Sequence, residues 1–416
     1  MQSVKACLIK ILSATPFTKS VAVSLLKAVR KVYYVLGFRS RYKTDEKMIL
    51  FEAFMGRQMS CSPKALYREM LSNEKYADFI KVWAFKNPKD YEGLLVDEKT
   101  VLVKYRSREY YKYCARAKYW INNFRMPEEI IPKKEQVYVQ CWHGTPLKRL
   151  GYDIKEYNMA QNSTESQRKT YSEDAKRYTY VLSPSDFYTE KFTSAFHLKA
   201  LGKEHVFIQK GYPRNDFLYT LTDEIIAELK KSLLIPEGKK VILYAPTWRD
   251  NQHEPGVGYT YNLGIDFDKL YQELSNEYII LFRAHYLVSN GFDFDKYQGF
   301  VMDVCQYDDI NHLYAVSDLL ITDYSSVFFD YANLKRPMIF YMYDKAEYQD
   351  TIRGFYIDLE ELPGPIIEKE EELLPLIKQM STEPFVYDEC YKKFNETYNP
   401  YNRSCSKEVL EAIIGE

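Results

Sequence analysis

Two doubly wound α/β domains are what this sequence predicts, and three observations predict them. The length of 416 residues is more than one ordinary core fills. Short apolar runs recur, each followed by polar and helix-forming sequence, which is the pattern of a mainly parallel sheet covered on both faces. That alternation runs through the chain twice, with a break near 217–240. The division expected is a basic segment at 1–47, a first domain at 48–220 and a second at 221–416. A last helix near 403–414 could return to the first domain.

From Met1 to Lys43 there are nine Lys/Arg and no Asp or Glu, interleaved with Leu, Ile, Val, Phe and Tyr. Lysines interrupt the apolar runs before any reaches the roughly 20 residues needed to span a bilayer. The segment is therefore expected to lie on an anionic membrane face, although a solvated helical hairpin packed on the domain is the plainer reading of the same charges. A cleaved signal peptide fits poorly, because positive charge continues through the apolar part, so the expected location is peripheral, at the cytoplasmic face of the membrane.

The first domain opens with Met48-Ile-Leu-Phe and a helix start at Ser62-Pro63. Strands are expected at 101–105, 137–142 and 180–185, and another ends in the Gly-containing turn near 206–216. In the second domain strands are expected at 241–248, 278–285, 301–304, 319–326 and 337–341, with helices near 266–275, 308–316 and 327–334. Two such sheets facing across a cleft would hold a ligand at the carboxyl ends of their strands.

Composition excludes some classes. A hydrophobic fraction of 46% beside 28% charged residues reads as folded throughout, and a net charge of −1 argues against a nucleic-acid partner. Seven scattered cysteines without a CxxC pair read as reduced thiols. The six histidines show no metal-ligand spacing, so no built-in metal site is expected.

Polar residues gather where strands end. VYVQCW delivers His143 at its tip, placed as a general base, with a satisfied interior imidazole as the plainer alternative. Arg283 and His285 close YIILF, and Arg249 and Asp250 follow VILY; Arg and His there suit a pyrophosphate, whereas a surface ion pair would equally account for Arg249 and Asp250. LLIT ends in Asp323, and Ser325 and Ser326 fall where a helix begins, as a phosphate cradle or simply as helix caps. Asp330, one turn on, could face the ribose hydroxyls of a nucleotide.

Taken in order, FMGRQMSCSPKALY, AKYWINNFRMP, QCWHGTPLK, SPSDFYTEKFTSAF, GYPRND, YAPTWRD, FRAH, DINHLYAVSDLLITDYSSVFFDYANLKRPMIFY and DTIRGFYIDLEELPGPI resemble the CDP-glycerol glycerophosphotransferase family of teichoic acid primases and polymerases. The resemblance runs from about residue 50 to the end. It implies a GT-B fold, membrane association through a basic amphipathic surface, and transfer of glycerol phosphate from CDP-glycerol, or an alditol phosphate from CDP-ribitol, to a lipid-linked polymer hydroxyl with release of CMP. By the same resemblance His143 is the base, His285 contacts the donor phosphates, and Thr322, Ser325, Ser326 and Asp330 hold the CDP moiety, with Arg249 and Arg283 as further phosphate contacts. No tightly bound cofactor is implied, and Mg²⁺ could ride on the nucleotide. Near the C-terminus the family's DGKAS-type turn is replaced by Pro400-Tyr-Asn-Arg-Ser-Cys-Ser. The rival readings are a GT-B glycosyltransferase using a nucleotide sugar and a catalytically idle membrane-bound scaffold.

Overall fold

The computed structural model describes all residues except 1–15, 95–96, 156–163, 248–252, 255–257, 260–263, 285–291, 346–353 and 416. Strands β1 (Asp45–Glu52), β2 (Ile80–Phe85), β3 (Thr100–Lys104), β4 (Ala117–Asn122), β5 (Val137–Gln140), β6 (Tyr180–Ser183) and β7 (Phe207–Gln209) form one sheet in the order β3-β2-β1-β4-β5-β6-β7. β1 pairs in parallel with both β2 and β4. The chain winds outward from β1 to β3 and then returns to continue from β4, so the switch point lies between β1 and β4. There Glu52 stands in register with Asn122.

Two strands of this sheet, β2 and β4, are absent from the sequence-based expectation. The helix Arg108–Arg116 passes straight into β4 at Ala117 with no Gly or Pro between them, so REYYKYCARAKYWIN offers no punctuation to read. The helix Cys61–Ser72 starts one residue ahead of the expected Ser62.

The second sheet contains β8 (Lys240–Ala245), β11 (Tyr278–Phe282), β12 (Val301–Asp303), β13 (Leu319–Thr322), β14 (Met338–Tyr341) and β15 (Ile366–Ile367), ordered β12-β11-β8-β13-β14-β15 and parallel throughout. A two-stranded antiparallel hairpin, β9 (His253–Glu254) with β10 (Gly258–Tyr259), stands apart from it. Because side chains alternate along a strand, this sheet builds a core on each face. Val241, Leu243, Ile279, Leu281, Leu320, Met338 and Phe340 enter one core. Ile242, Tyr244, Tyr278, Ile280, Phe282, Leu319, Ile321 and Ile339 enter the other. Both faces are covered, which is why these strands read as unbroken apolar runs.

The chain divides into two compact units, one of residues 1–59, 67–142 and 176–181, the other of 60–66, 143–175 and 182–416. In the first, the helix Pro16–Tyr34 is followed by a π-helical turn, Val35–Arg39. Tyr34 and Phe38 are buried and anchor it, and Arg39 donates to the carbonyls of Ile131 and Pro132. In the second, the last helix, Ser406–Ile414, is held by the Asp216 carboxylate, which accepts from the backbone N–H groups of Cys405 and Ser406. The six cysteines within the described residues are all free thiols.

Candidate active site

In the second sheet the winding reverses between β8 and β13, and the polar residues gather there. Thr322 stands in register with Ala245 and donates its hydroxyl to that residue's carbonyl at 2.7 Å. One residue on, buried Asp323 accepts from the Thr247 backbone N–H at 2.8 Å and from the Thr247 hydroxyl at 2.6 Å. This carboxylate ties the two strand ends together at the switch point.

The turn that follows exposes part of Ser325 and Ser326, while Tyr324 before them and Phe328 behind them are buried. Ser326 immediately precedes the helix Val327–Tyr331, and its side chain makes no capping bond. The expected alternative, a serine consumed as a helix cap, is therefore not how its hydroxyl is used.

His143 leads the turn that meets this serine. Trp142 before it has φ of +48°, a left-handed conformation that a bulky side chain adopts only under tertiary constraint. Its N–H donates to Gln140 Oε1 at 2.8 Å. His143 is half-buried and Gly144, Thr145 and Pro146 are buried. A Cβ built on Gly144 would lie 3.0 Å from Ser326 Oγ. The structure thus seats the His143 turn on the Ser325–Ser326 turn, two segments some 180 residues apart in sequence.

The other expected residues have different surroundings. Asp330 is buried and accepts from Arg214 Nε at 2.9 Å, Arg214 Nη2 at 3.0 Å and Asn215 Nδ2 at 2.9 Å. Arg283 donates Nη1 to the carbonyls of Val304 and Tyr307, both at 2.7 Å, and so holds the loop after β12; burial lowers its pKa from the usual arginine value. Arg249 and His285 lie outside the described residues. Among the described residues no group of three His, Cys, Asp or Glu is arranged to hold a metal ion.

Sequence reasoning misses Arg214 and Asn215 as site-supporting residues. The signal available is their place in GYPRND, just after a short strand. Also missed is Glu52, at the switch point of the first sheet. It accepts from Tyr110 Oη at 2.7 Å and from Asn122 Nδ2 at 3.1 Å, and burial raises its pKa to about 7.

Two parallel, doubly wound sheets with polar side chains gathered at a switch point define a GT-B-type α/β protein. The chain belongs to the CDP-glycerol:poly(glycerophosphate) glycerophosphotransferase family, whose pattern matches residues 34–415. It is 42% identical over 94% of its length to the teichoic acid poly(glycerol phosphate) polymerase of Bacillus subtilis strain 168, of which it spans 52%. The polymerase of the same description from Bacillus spizizenii is 39% identical, with 94% of this chain and 97% of that one covered. The teichoic acid glycerol-phosphate transferase of Staphylococcus aureus is 39% identical over 88% of this chain and 91% of its own. The solved structure of the wall teichoic acid polymerase TagF superposes with a TM-score of 0.84 at 36% identity, covering 95% of this chain and 94% of that one. A TagF H444N variant soaked with CDPG gives 0.85 at 36% identity, covering 95% of each chain.

Proposed function

We propose that this protein transfers glycerol phosphate from CDP-glycerol to a hydroxyl at the end of a membrane-linked surface polymer, in teichoic acid or capsule-type synthesis. The observation that carries the chemistry is the seating of the His143 turn on the Ser325–Ser326 turn through Gly144. A base and a phosphate-holding turn must be neighbours for in-line transfer. The acceptor oxygen attacks the β-phosphorus, its proton passes to His143, the bond from the β-phosphorus to the bridging oxygen breaks, and CMP leaves. Ser325 and Ser326 hold the CDP phosphates, with Arg249, Arg283 and His285 as further phosphate contacts, while Thr322, whose hydroxyl is donated to the Ala245 carbonyl, and Asp330 stand behind them. Phosphate charge is neutralised by these donors, and Mg²⁺ carried in with the nucleotide is compatible with the scheme.

Glycerol is favoured over ribitol because two poly(glycerol phosphate) polymerases and a glycerol-phosphate transferase are 39–42% identical over 88–94% of the chain, whereas a poly(ribitol-phosphate) polymerase of Bacillus spizizenii is 32% identical over 68% of it.

The membrane surface is supported by the helix Pro16–Tyr34 and its continuation. Leu25, Leu26, Val29, Val32, Tyr33 and Leu36 are each about half or more exposed, on one helical stripe, with Lys27, Arg30 and Lys31 beside them. Among the described residues no helix is long and apolar enough to cross a membrane. A peripheral attachment at the cytoplasmic face accounts for the exposed stripe.

The test is CMP release from CDP-glycerol and, separately, CDP-ribitol, each with a lipid-linked glycan acceptor. Acceptor-dependent release with CDP-glycerol is expected, falling at least ~100-fold in His143→Ala while CDP still binds. UDP release from a UDP-sugar, with no CMP release from either CDP-alditol, would transfer the reading to a glycosyltransferase.

A further inference from the structure

The helix that Ser326 opens has only five residues, too few to hold its own orientation. Phe328, Phe329 and Tyr331 pack it into the core, and its polar anchor is Asp330, which is 6% exposed and gripped by Arg214, itself 5% exposed. The two guanidinium bonds at 2.9 and 3.0 Å are a bidentate fork, and Asn215 adds a third donor at 2.9 Å. Burial works against the Arg214 charge, but the Asp330 charge and hydrogen bond, together with Cys61 and Tyr212, outweigh it, and the arginine pKa is raised.

Arg214 is in turn fixed from behind. Its backbone carbonyl accepts from Asn311 Nδ2, and its guanidinium lies 3.8 Å from the centre of the Tyr212 ring. The buried hydroxyl of Tyr212 lies beside that of Thr145, two residues after His143, without closing a hydrogen bond of ordinary geometry. Arg214 and Tyr212 therefore stand between the serine-bearing helix and the histidine-bearing turn.

We infer that Arg214 is a positioning residue for the transfer: its ion pair with Asp330 sets the roll of the helix Val327–Tyr331, and so keeps the Ser325–Ser326 turn aimed at the site beside His143. Asp330 then acts through Arg214 and not by touching the nucleotide ribose. The inference rests on the transferase reading, and its experiment separates the two.

Arg214→Lys, Asp330→Asn and the double variant of the full chain are compared for kcat with CDP-glycerol and for affinity toward CDP and 2′-deoxy-CDP. The expected result is a ten-fold or larger loss of kcat and a weakened CDP affinity, equal in both single variants and no worse in the double, with the CDP to 2′-deoxy-CDP ratio unchanged. A ratio that collapses in Asp330→Asn alone, or full activity in Arg214→Lys, overturns it. Should these variants fail to fold, Asn215→Ala, which strands no charge, is expected to lose kcat several-fold with a Tm within a few degrees of wild type; full activity there overturns the proposal. If wild type releases no CMP from either CDP-alditol, the transferase reading fails, and the same cycle in CDP affinity still decides the positioning role. A wild type that does not bind CDP removes both.

Discussion

Gly144 matters for what it lacks. Its φ is unremarkable, and the constraint is the 3.0 Å between the place its Cβ would occupy and Ser326 Oγ. The obstructing atom is the end of a short side chain that can rotate, so Gly144→Ala is expected to cost less than about 1 kcal/mol of stability. It would nevertheless turn the Ser326 hydroxyl away, and kcat should fall several-fold. Ser326→Ala should fall similarly, and Gly144→Ala added to it should cause no further loss, because the atom to be displaced is gone. Steady-state kinetics of the four proteins checks this; additive losses would mean that Gly144 acts through some other neighbour. At this scale His143, Ser325 and Ser326 could be nominated from the sequence because their types and strand-end places suit chemistry. Arg214 was not, because its partner Asp330 is 116 residues away and no local pattern joins them.

Elements pose a different question, which the β1 end illustrates. Glu52 sits at the switch point of the first sheet with its carboxyl pKa raised from 4.5 to about 7 by burial, despite the stabilising bonds from Tyr110 and Asn122. Between those two values the unfolded chain releases its proton and the folded one keeps it. Stability from this group is therefore full below about pH 4.5 and declines as pH rises toward 7. The whole effect is about 3 kcal/mol. Glu52→Gln can accept from Asn122 and donate to Tyr110 Oη, so it should fold, raise Tm at pH 8 and flatten the Tm profile between pH 5 and 7. A profile identical to wild type would show that the carboxyl is ionised in the folded protein. β1 itself was readable from Met48-Ile-Leu-Phe, whereas β4 was hidden by a helix that runs into it without a turn.

For the whole molecule, the exposed stripe of the helix Pro16–Tyr34 sets the expected behaviour at a lipid surface. Leu25 is 64% exposed and Val29 56%, so replacing both with Asp should leave Tm unchanged. Sedimentation with anionic vesicles should fall ten-fold or more, since apolar burial and attraction to the surface are both reduced. Wild-type binding should also weaken as salt rises. Unchanged sedimentation of the double variant would assign that stripe to another partner.

Sequence alone determined the two-series α/β plan, the basic amphipathic opening and the strand-end address of the candidate residues, because these follow from local periodicity, local charge and the rule that parallel strands deliver ligands at their carboxyl ends. Tertiary structure decided the strand orders, the seating of Gly144 on Ser326, and the burial of Asp330 against Arg214. Those depend on which distant segments share a neighbour and on which charges lose their water, and neither quantity is carried by any window of sequence.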